Sequence, residues 1–386
     1  MASSRRMQPP PSDWRATLRL LAIEHAPLLL LVLAHLGLGY GLQAALGAPI
    51  MEIAVSYEVV NLFVILFAVL FFSGHALTSL PKVPEGQSAF RFIWTDLRTR
   101  WLTPRRLLGY LVVHLALPFF MSAFQCIKIA IPRFVPFSWD ERFHRWDLAI
   151  HGGHMPWELL GPLSGDGATL LLNVAYNLWF FILFGLVVWQ GLSEDRVLRF
   201  RFLASFLLVF ILGGNVLAML WSSVGPCFWG MAVPGPDPYA PLMARLHGIN
   251  DALVAQNGAE GVHLWSLDVQ AQLWEVYATG AVETVGGISA MPSMHVASSV
   301  LFACLGWAHS RWLGVLLTAF AAVIQVGSVT LGWHYAVDGY VGACITLVIW
   351  FGVKLAVEKT GFGRLLAGGP GPRALSERGA GATVPE

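Results

Sequence analysis

Ser289-Ala290-Met291-Pro292-Ser293-Met294-His295 and Gly332-Trp333-His334-Tyr335-Ala336-Val337-Asp338 are two short polar segments in an otherwise apolar part of the chain. We call them the first island and the second island. The residues between them are numerous enough for one helix across a membrane and one helix back. Both islands are therefore predicted on the same side of the membrane, which makes them the leading candidate for an active site.

The composition of the chain predicts a membrane protein. Of its 386 residues, 56% are hydrophobic and only 12% are charged, whereas charged residues make up about a quarter of a soluble domain. Eight apolar runs have the length that a helix needs to cross a bilayer. They lie near residues 26–47, 53–76, 107–127, 168–191, 200–222, 290–309, 312–331 and 337–357. The predicted fold is all-α, a polytopic membrane helix bundle with about eight transmembrane helices.

Basic residues are distributed unevenly between the two ends of these helices, and positive charges near helix ends are retained in the cytoplasm. With the N-terminus inside, 19 of the 24 Lys and Arg residues fall on the cytoplasmic side. The opposite side keeps Lys128, Arg133, Arg142, Arg145 and Arg245. This distribution predicts that both islands face outward, toward the periplasm if the membrane is a bacterial inner membrane. A Golgi-type membrane is the alternative.

The polar segments divide the chain into four predicted regions. Residues 1–25 are interpreted as a cytoplasmic tail, 26–106 as two transmembrane helices with a basic inner loop, 107–357 as a six-helix catalytic core, and 358–386 as a flexible cytoplasmic tail. The first apolar run is either a retained anchor or a cleaved signal peptide, and its length favours the anchor. The aromatic-rich outer loop 223–289 predicts short interfacial helices.

The islands contain the residue types that phosphoryl transfer needs. Pro292 fits the first turn of a helix, so Ser293 and His295 are expected where free backbone N–H groups attract phosphate. His334 and Asp338 are four residues apart, one helical turn, so the carboxylate can fix the tautomer of the imidazole. Such an imidazole can attack phosphorus, and His295 can protonate the departing oxygen. This scheme requires no metal and no other cofactor.

A histidine near a membrane interface is more often a hydrogen-bonded interfacial residue than a catalyst. Asp338 changes that balance, because a carboxylate at the edge of an apolar run is costly and usually functional. We interpret the other outer histidines as structural: His144, His151, His154, His247 and His263. His151 and His154 are close enough in sequence to contact one metal ion, but no carboxylate or cysteine spacing completes a metal site.

The sequence Pro292-Ser293-Met294-His295 followed by His334-Tyr335-Ala336-Val337-Asp338 resembles the second and third signatures of the type 2 phosphatidic acid phosphatase superfamily. The His-Tyr pair and the Met after Pro-Ser are similar to the branch of inositol phosphorylceramide synthase and sphingomyelin synthases. The resemblance covers about residues 110–350 and implies a six-helix bundle with the site at one membrane face. It also implies that His334 is the nucleophile, that Asp338 orients it, and that His295 protonates the leaving group.

Two features depart from the pattern of the phosphatase branch. That branch has an arginine six residues before the nucleophile, where this chain has Ser328. Its first signature pairs a lysine with an Arg-Pro seven residues later, whereas here Lys128 is followed by Pro132 and Arg133. Lys128, Arg133 and Arg245 are candidates for binding the substrate phosphate, because they are outward, basic and few. Lys128 and Arg133 could instead extend toward the interface.

The sequence therefore predicts an integral membrane enzyme that transfers or hydrolyses a phospho-headgroup through a phosphohistidine intermediate. The resemblance implies a lipid phosphate and a lipid or alcohol acceptor as partners. No nucleic-acid partner is expected, because neither a glycine-rich nucleotide loop nor a nucleic-acid groove is visible. The transferase-like signatures favour transfer, although the two reactions differ only in whether water or an alcohol attacks the intermediate. The alternative is a lipid-binding or transport protein that keeps the bundle without turnover, but no internal repeat is visible.

Overall fold

The described residues of the computed structural model are 14–47, 53–258, 260–280 and 286–366. They form helices joined by short loops and contain no strand. In chain order the α-helices are α1 (Trp14–Ala45), α2 (Ile53–Ser79), α3 (Ala89–Arg100), α4 (Pro104–Phe134), α5 (Asp140–Ile150), α6 (Pro156–Leu159), α7 (Asp166–Gly191), α8 (Arg196–Leu208), α9 (Ala218–Leu220), α10 (Trp229–Ala232), α11 (Ala240–Asn257), α12 (Trp265–Thr279), α13 (Met294–His309), α14 (Arg311–Thr330), α15 (Ala336–Lys359) and α16 (Phe362–Leu366). The all-α fold predicted from the sequence is confirmed.

The described residues include seven helical segments that are long and apolar enough to span a membrane. They are α1, α2, α4, α7, the run from α8 to α9, α14 and α15. The remaining predicted span corresponds to α13, which is apolar but only 16 residues long. The expectation of about eight spans is thus met by seven helices of spanning length and one shorter helix, as in a multi-pass membrane protein.

The first helix begins at Trp14, well before the predicted start of the first span near residue 26. The helix continues through this more polar stretch because Glu24 is buried against Arg199 of α8, whose guanidinium binds both carboxylate oxygens. Two buried charges are tolerated when they pair and satisfy each other's hydrogen bonds. Near the other end of α1, the Gln43 amide donates to the carbonyl of Cys126 at 2.9 Å, so α1 is fixed along the bundle.

Helix α13 lies at the centre of the bundle, in contact with α7, α8, α14 and α15. It forms a hairpin with α14 that is joined by Ser310 alone. A Cβ atom on Gly306 would lie 2.8 Å from the carbonyl oxygen of Leu313, so the two helices approach closely only because this residue is glycine. The hairpin returns the chain to the end of the bundle at which α13 begins, and both islands lie there.

The loops predicted on the outer side contain helices. The loop 223–289 holds the helices α10, α11 and α12, as predicted, and residues 135–165 between α4 and α7 hold α5 and α6. The predicted C-terminal tail begins with the end of α15 and the short helix α16, while residues 367–386 lie outside the described residues, as do residues 1–13. The loop helices therefore surround the islands at one end of the bundle.

Candidate active site

The second island is a turn that leads into α15. Tyr335 is the N-cap of this helix, and Asp338 closes a capping box from the third helical position. Oδ2 of Asp338 accepts hydrogen bonds from the backbone N–H of Tyr335 (3.1 Å) and from Nδ1 of His334 (3.2 Å). His334 therefore precedes the helix, and the prediction that both residues lie on one helical turn was wrong. The carboxylate reaches the imidazole because it folds back over the cap. In the tautomer in which Nδ1 donates to Asp338, the lone pair of the ring lies on Nε2.

His334 is held in a buried turn and is 9% exposed. Its backbone N–H donates to the carbonyl of Ser328 at 3.0 Å. Burial lowers the pKa of His334 to about 3, with the charge of Lys128 adding to the shift and the backbone of Ala290 opposing it. The imidazole is therefore neutral at neutral pH, which is the form that can act as a nucleophile.

The first island begins α13. The helix starts at Met294, and Ser293 is its N-cap, with a hydroxyl that accepts a backbone N–H of the first turn at 3.5 Å. Pro292 precedes the cap rather than lying in the first turn as predicted, because the Ser293 hydroxyl is the better capping group. The N–H of Ser293 donates to the carbonyl of Asp338 at 3.1 Å, which joins the islands. Among the described residues, the N–H groups of Met294 and His295 have no partner and are available to an anion.

The ring of His295 packs against aromatic side chains of α7. Its centroid lies 4.1 Å from that of Tyr176 and 4.1 Å from that of Trp179. No hydrogen bond from any described residue holds the ring, so neither ring nitrogen is paired within the described part of the chain. His334 and Lys128 are both close enough to His295 to interact with it electrostatically. The two island histidines and the lysine thus share one site.

A loop between Ser222 and Cys227, which we call the bridging loop, holds both islands. Ser223 accepts the N–H groups of two successive residues of the first island, through its carbonyl at 3.0 Å and its hydroxyl at 3.3 Å. Cys227 donates its N–H to the carbonyl of Gly332 in the second island at 2.9 Å. This loop therefore connects the two islands through hydrogen bonds to their backbone.

Gly225 allows the bridging loop to approach the second island. Its φ angle is 88°, in the region that favours glycine. A Cβ atom at this position would lie 2.8 Å from the carbonyl oxygen of Trp333, which is closer than such contacts permit. A side chain at residue 225 would therefore displace the backbone next to His334.

Two buried carboxylates of α5 hold the same backbone from the outer side. Asp140 accepts two N–H groups of the bridging loop, each at 3.0 Å, and the hydroxyl of Tyr335 at 2.8 Å. Asp147 accepts the N–H groups of Ala336 (2.8 Å) and Val337 (2.9 Å) at the start of α15. Burial raises the pKa of both carboxyl groups, and the backbone hydrogen bonds oppose that shift. Sequence reasoning missed this role, although the seven-residue spacing places both acids on one face of an amphipathic helix.

The three basic residues predicted to bind phosphate lie in different places. Lys128 lies close enough to His295 and His334 to interact with both electrostatically. It has no hydrogen bond or ion pair with a described residue. Arg133 is exposed and donates to the carbonyl of Gly280 at 3.4 Å. Arg245 donates to the hydroxyl of Thr169 at 3.1 Å. Within the described part of the chain, neither arginine pairs with an island residue, so only the lysine is placed beside the histidines.

Three of the other predicted outer histidines, His144, His151 and His263, have side-chain hydrogen-bond partners of their own. Nδ1 of His144 pairs with the hydroxyl of Tyr239 at 3.0 Å, and His151 bonds to the carbonyl of Asp147 at 2.7 Å. Nε2 of His263 lies 2.7 Å from the exposed carboxylate of Asp268. The described residues contain no group of three or more His, Cys, Asp or Glu side chains arranged to hold a metal ion.

Comparison with known protein families gives the class of the chain. A family model described as the PAP2 superfamily matches residues 141–352, more than half of the 386 residues. The protein therefore belongs to the PAP2 superfamily. The matched region runs from α5 into α15 and includes both islands and the bridging loop, whereas Lys128 lies before it. No curated protein and no solved structure showed significant similarity to the chain.

Proposed function

We propose that this protein is an integral membrane lipid phosphotransferase or phosphatase that works through a phosphohistidine on His334. One juxtaposition carries the proposal: a neutral imidazole bonded to the carboxylate of Asp338 lies near a second imidazole, His295, and the unpaired ammonium of Lys128. Membership of the PAP2 superfamily supports phosphatase-type chemistry at this site.

The first half of the reaction forms the intermediate. Nε2 of His334 attacks the phosphorus of the lipid phosphate, and the bond from phosphorus to the departing alcohol oxygen breaks as the P–N bond forms. His295 acts as the imidazolium and gives its proton to that oxygen, which leaves the neutral imidazole for the second half of the reaction. Asp338 stabilises the positive charge that develops on the His334 ring, and the Lys128 ammonium binds a non-bridging phosphate oxygen.

The second half releases the phosphoryl group. A hydroxyl group attacks phosphorus, the P–N bond breaks, and His295 takes the proton of the attacking hydroxyl. If the attacking molecule is water, the product is free phosphate from a phosphomonoester or the phosphorylated headgroup from a phosphodiester. If it is a lipid alcohol, the product is a lipid with a new phospho-headgroup, and His334 is regenerated in either case.

The charge of the site favours transfer of a phosphodiester headgroup. A phosphomonoester carries about 1.5 to 2 negative charges at pH 7, whereas a phosphodiester carries one. Lys128 is the basic side chain that acts on both island histidines among the described residues, and Ser328 stands where the phosphatase branch has an arginine. A single ammonium matches a single negative charge. The likeness of the islands to the inositol phosphorylceramide synthase branch supports the same substrate class.

We further propose that the site faces the periplasm of a bacterial inner membrane. This orientation is supported by the 19 of 24 basic residues that fall on the opposite side when the N-terminus is placed inside. The partners of the protein are then the membrane itself, a phospholipid or sphingolipid donor, and a lipid or alcohol acceptor.

The test compares purified wild-type protein with His334→Ala. Both are incubated with a panel of phospholipids and alcohol acceptors, and the products are identified by mass spectrometry. We expect a product with the wild type that is absent with His334→Ala, and free phosphate or a new headgroup lipid will identify the reaction. His263→Ala, which removes a partly buried histidine paired with an exposed carboxylate, is the matched control and should retain the product. Equal lipid binding with no product from either protein would reject catalysis in favour of a lipid-binding or transport protein.

A further inference from the structure

Tyr176 of α7 contacts both islands although it belongs to neither. Its ring stacks on that of His295, with centroids 4.1 Å apart and planes 18° apart. It is also parallel to the indole of Trp333, at 6.0 Å and 5°. The side chain of Tyr176 therefore lies beside His295 of the first island and beside Trp333, the residue before His334, of the second island.

The hydroxyl group of Tyr176 is buried without a hydrogen-bond partner among the described residues, and the residue is only 5% exposed. Such groups are uncommon, because a buried polar group without a partner retains its full desolvation penalty. Trp179, one turn further along α7, is paired in the usual way: its Nε1 donates to the hydroxyl of Ser298 at 2.9 Å. The Tyr176 hydroxyl is thus a donor placed in the protein interior with no acceptor from the described chain.

The neighbours of Tyr176 place its side chain beside the islands. The part of α7 around Leu172 and Tyr176 packs against Gly327, close to the end of α14 at which the second island begins. Side chains on a helix lean toward its N-terminus, which for α7 is the end that carries the islands. The carboxylate of Asp338 also lies close enough to act electrostatically on Tyr176. The donor therefore lies near the carboxylate that binds the imidazole of His334.

We infer that the Tyr176 hydroxyl donates a hydrogen bond to a non-bridging oxygen of the phosphoryl group that moves to His334. This inference rests on the proposed function. Lys128 supplies charge, whereas the phenol supplies a neutral and directional donor that is already fixed by its ring stack. Fixed donors in a water-poor site stabilise developing negative charge most effectively. Tyr176 keeps its proton throughout, so His295 remains the acid.

The experiment uses Tyr176→Phe in the full-length purified protein, which removes the hydroxyl and keeps the ring. We expect kcat/KM to fall about 10- to 100-fold, and inhibition by orthovanadate, a mimic of the five-coordinate phosphorus, to weaken by a similar factor. The midpoint of thermal unfolding without ligand should stay the same or rise, because an unpaired buried hydroxyl has been removed. Tyr277→Phe, at an exposed tyrosine of α12, is the control and should leave all three quantities unchanged.

Each contrary result has a distinct meaning. Activity and vanadate inhibition within twofold of the wild type would overturn the role of Tyr176 and leave that of His334 standing. A loss of activity accompanied by a lower unfolding midpoint would also overturn it, because the hydroxyl would then be a structural group. A wild-type protein without lipid phosphoryl chemistry would reject the proposed function and this inference with it.

Discussion

Nδ1 of His334 lies 3.2 Å from Oδ2 of Asp338, although His334 precedes the helix on which Asp338 is placed. The same oxygen caps α15 through the N–H of Tyr335. One carboxylate thus determines both where the helix starts and how the imidazole is turned, so the position of His334 depends on the helix cap.

Replacement of Asp338 by Asn tests this double role. The amide can still accept the cap hydrogen bond but cannot balance a positive imidazole, so we expect kcat to fall about 100- to 10,000-fold. The free energy of unfolding should fall by only about 1 kcal/mol. The control is Asp268→Asn, at the exposed His263–Asp268 pair, and it should leave kcat unchanged. A kcat of Asp338→Asn within threefold of the wild type would remove Asp338 from the mechanism.

Lys128 and Arg133 are predicted to contribute differently to kcat/KM. Lys128 lies near both island histidines, whereas Arg133 bonds to the carbonyl of Gly280 at the surface. We expect Lys128→Met to lower kcat/KM about 10- to 100-fold, the value of one hydrogen bond to a charged group. Arg133→Met should change it less than about threefold. The reverse order in steady-state assays would place the substrate phosphate beside Gly280.

Asp147 provides a prediction for stability. Asp147→Ala leaves two backbone N–H groups of α15 buried and unpaired, each worth about 1 to 3 kcal/mol. We therefore expect a clearly lower midpoint of thermal unfolding in detergent, together with lower activity, because the start of α15 also positions His334. Asp147→Asn should lower the midpoint of thermal unfolding less than Asp147→Ala does. Asp251→Ala, at an exposed position of α11, is the control; equal midpoints for it and Asp147→Ala would show that the α5 contact does not support the site.

The pH dependence of stability should carry a contribution from His334. Its pKa is lowered from 6.5 to about 3, so between these values the unfolded chain binds a proton that the folded protein does not. The stability that the protein gains from keeping His334 neutral is fully present above pH 6.5 and is lost as the pH falls toward 3. Between pH 7 and pH 5 the loss amounts to roughly 2 kcal/mol. His334→Gln should therefore lose less thermal stability than the wild type over this interval, and parallel melting curves would contradict the shift.

The orientation in the membrane is testable by thiol labelling. In a background that lacks Cys344, the exposed cysteine, Pro234→Cys adds a thiol to the predicted outer loop and Gln87→Cys adds one to the predicted inner loop. Pro234 is preferred to its neighbour Gly235, whose φ of 99° disfavours a side chain. An impermeant reagent should label Pro234→Cys in intact cells and Gln87→Cys only after lysis. The opposite pattern would invert the topology.

Hydropathy and helix length predicted most of the fold, because every spanning helix must satisfy its backbone internally and must be about 20 residues long. The spacing of His334 and Asp338 predicted their contact but not its geometry, since a capping box and a helical turn both bring such residues together. The contacts of α5 were beyond the sequence, because Asp147 meets Ala336 across 189 positions of the chain. Lys128 and Arg133 look alike in sequence, but five residues turn a helix by about 140°, so they face different surroundings.

The shortness of α13 affects how a substrate arrives. A helix of 16 residues is about 24 Å long, several Å less than the hydrocarbon core of a bilayer. We expect Ser310 and Arg311 to lie at the far boundary of the bilayer, which would place the end that bears His295 below the opposite boundary, within the apolar layer. On the proposed function, a reacting phospholipid then lowers its headgroup while its acyl chains remain among those of its neighbours. The substrate is then expected to reach the site by lateral diffusion in the membrane. Turnover should follow the mole fraction of the substrate in the membrane rather than its bulk concentration.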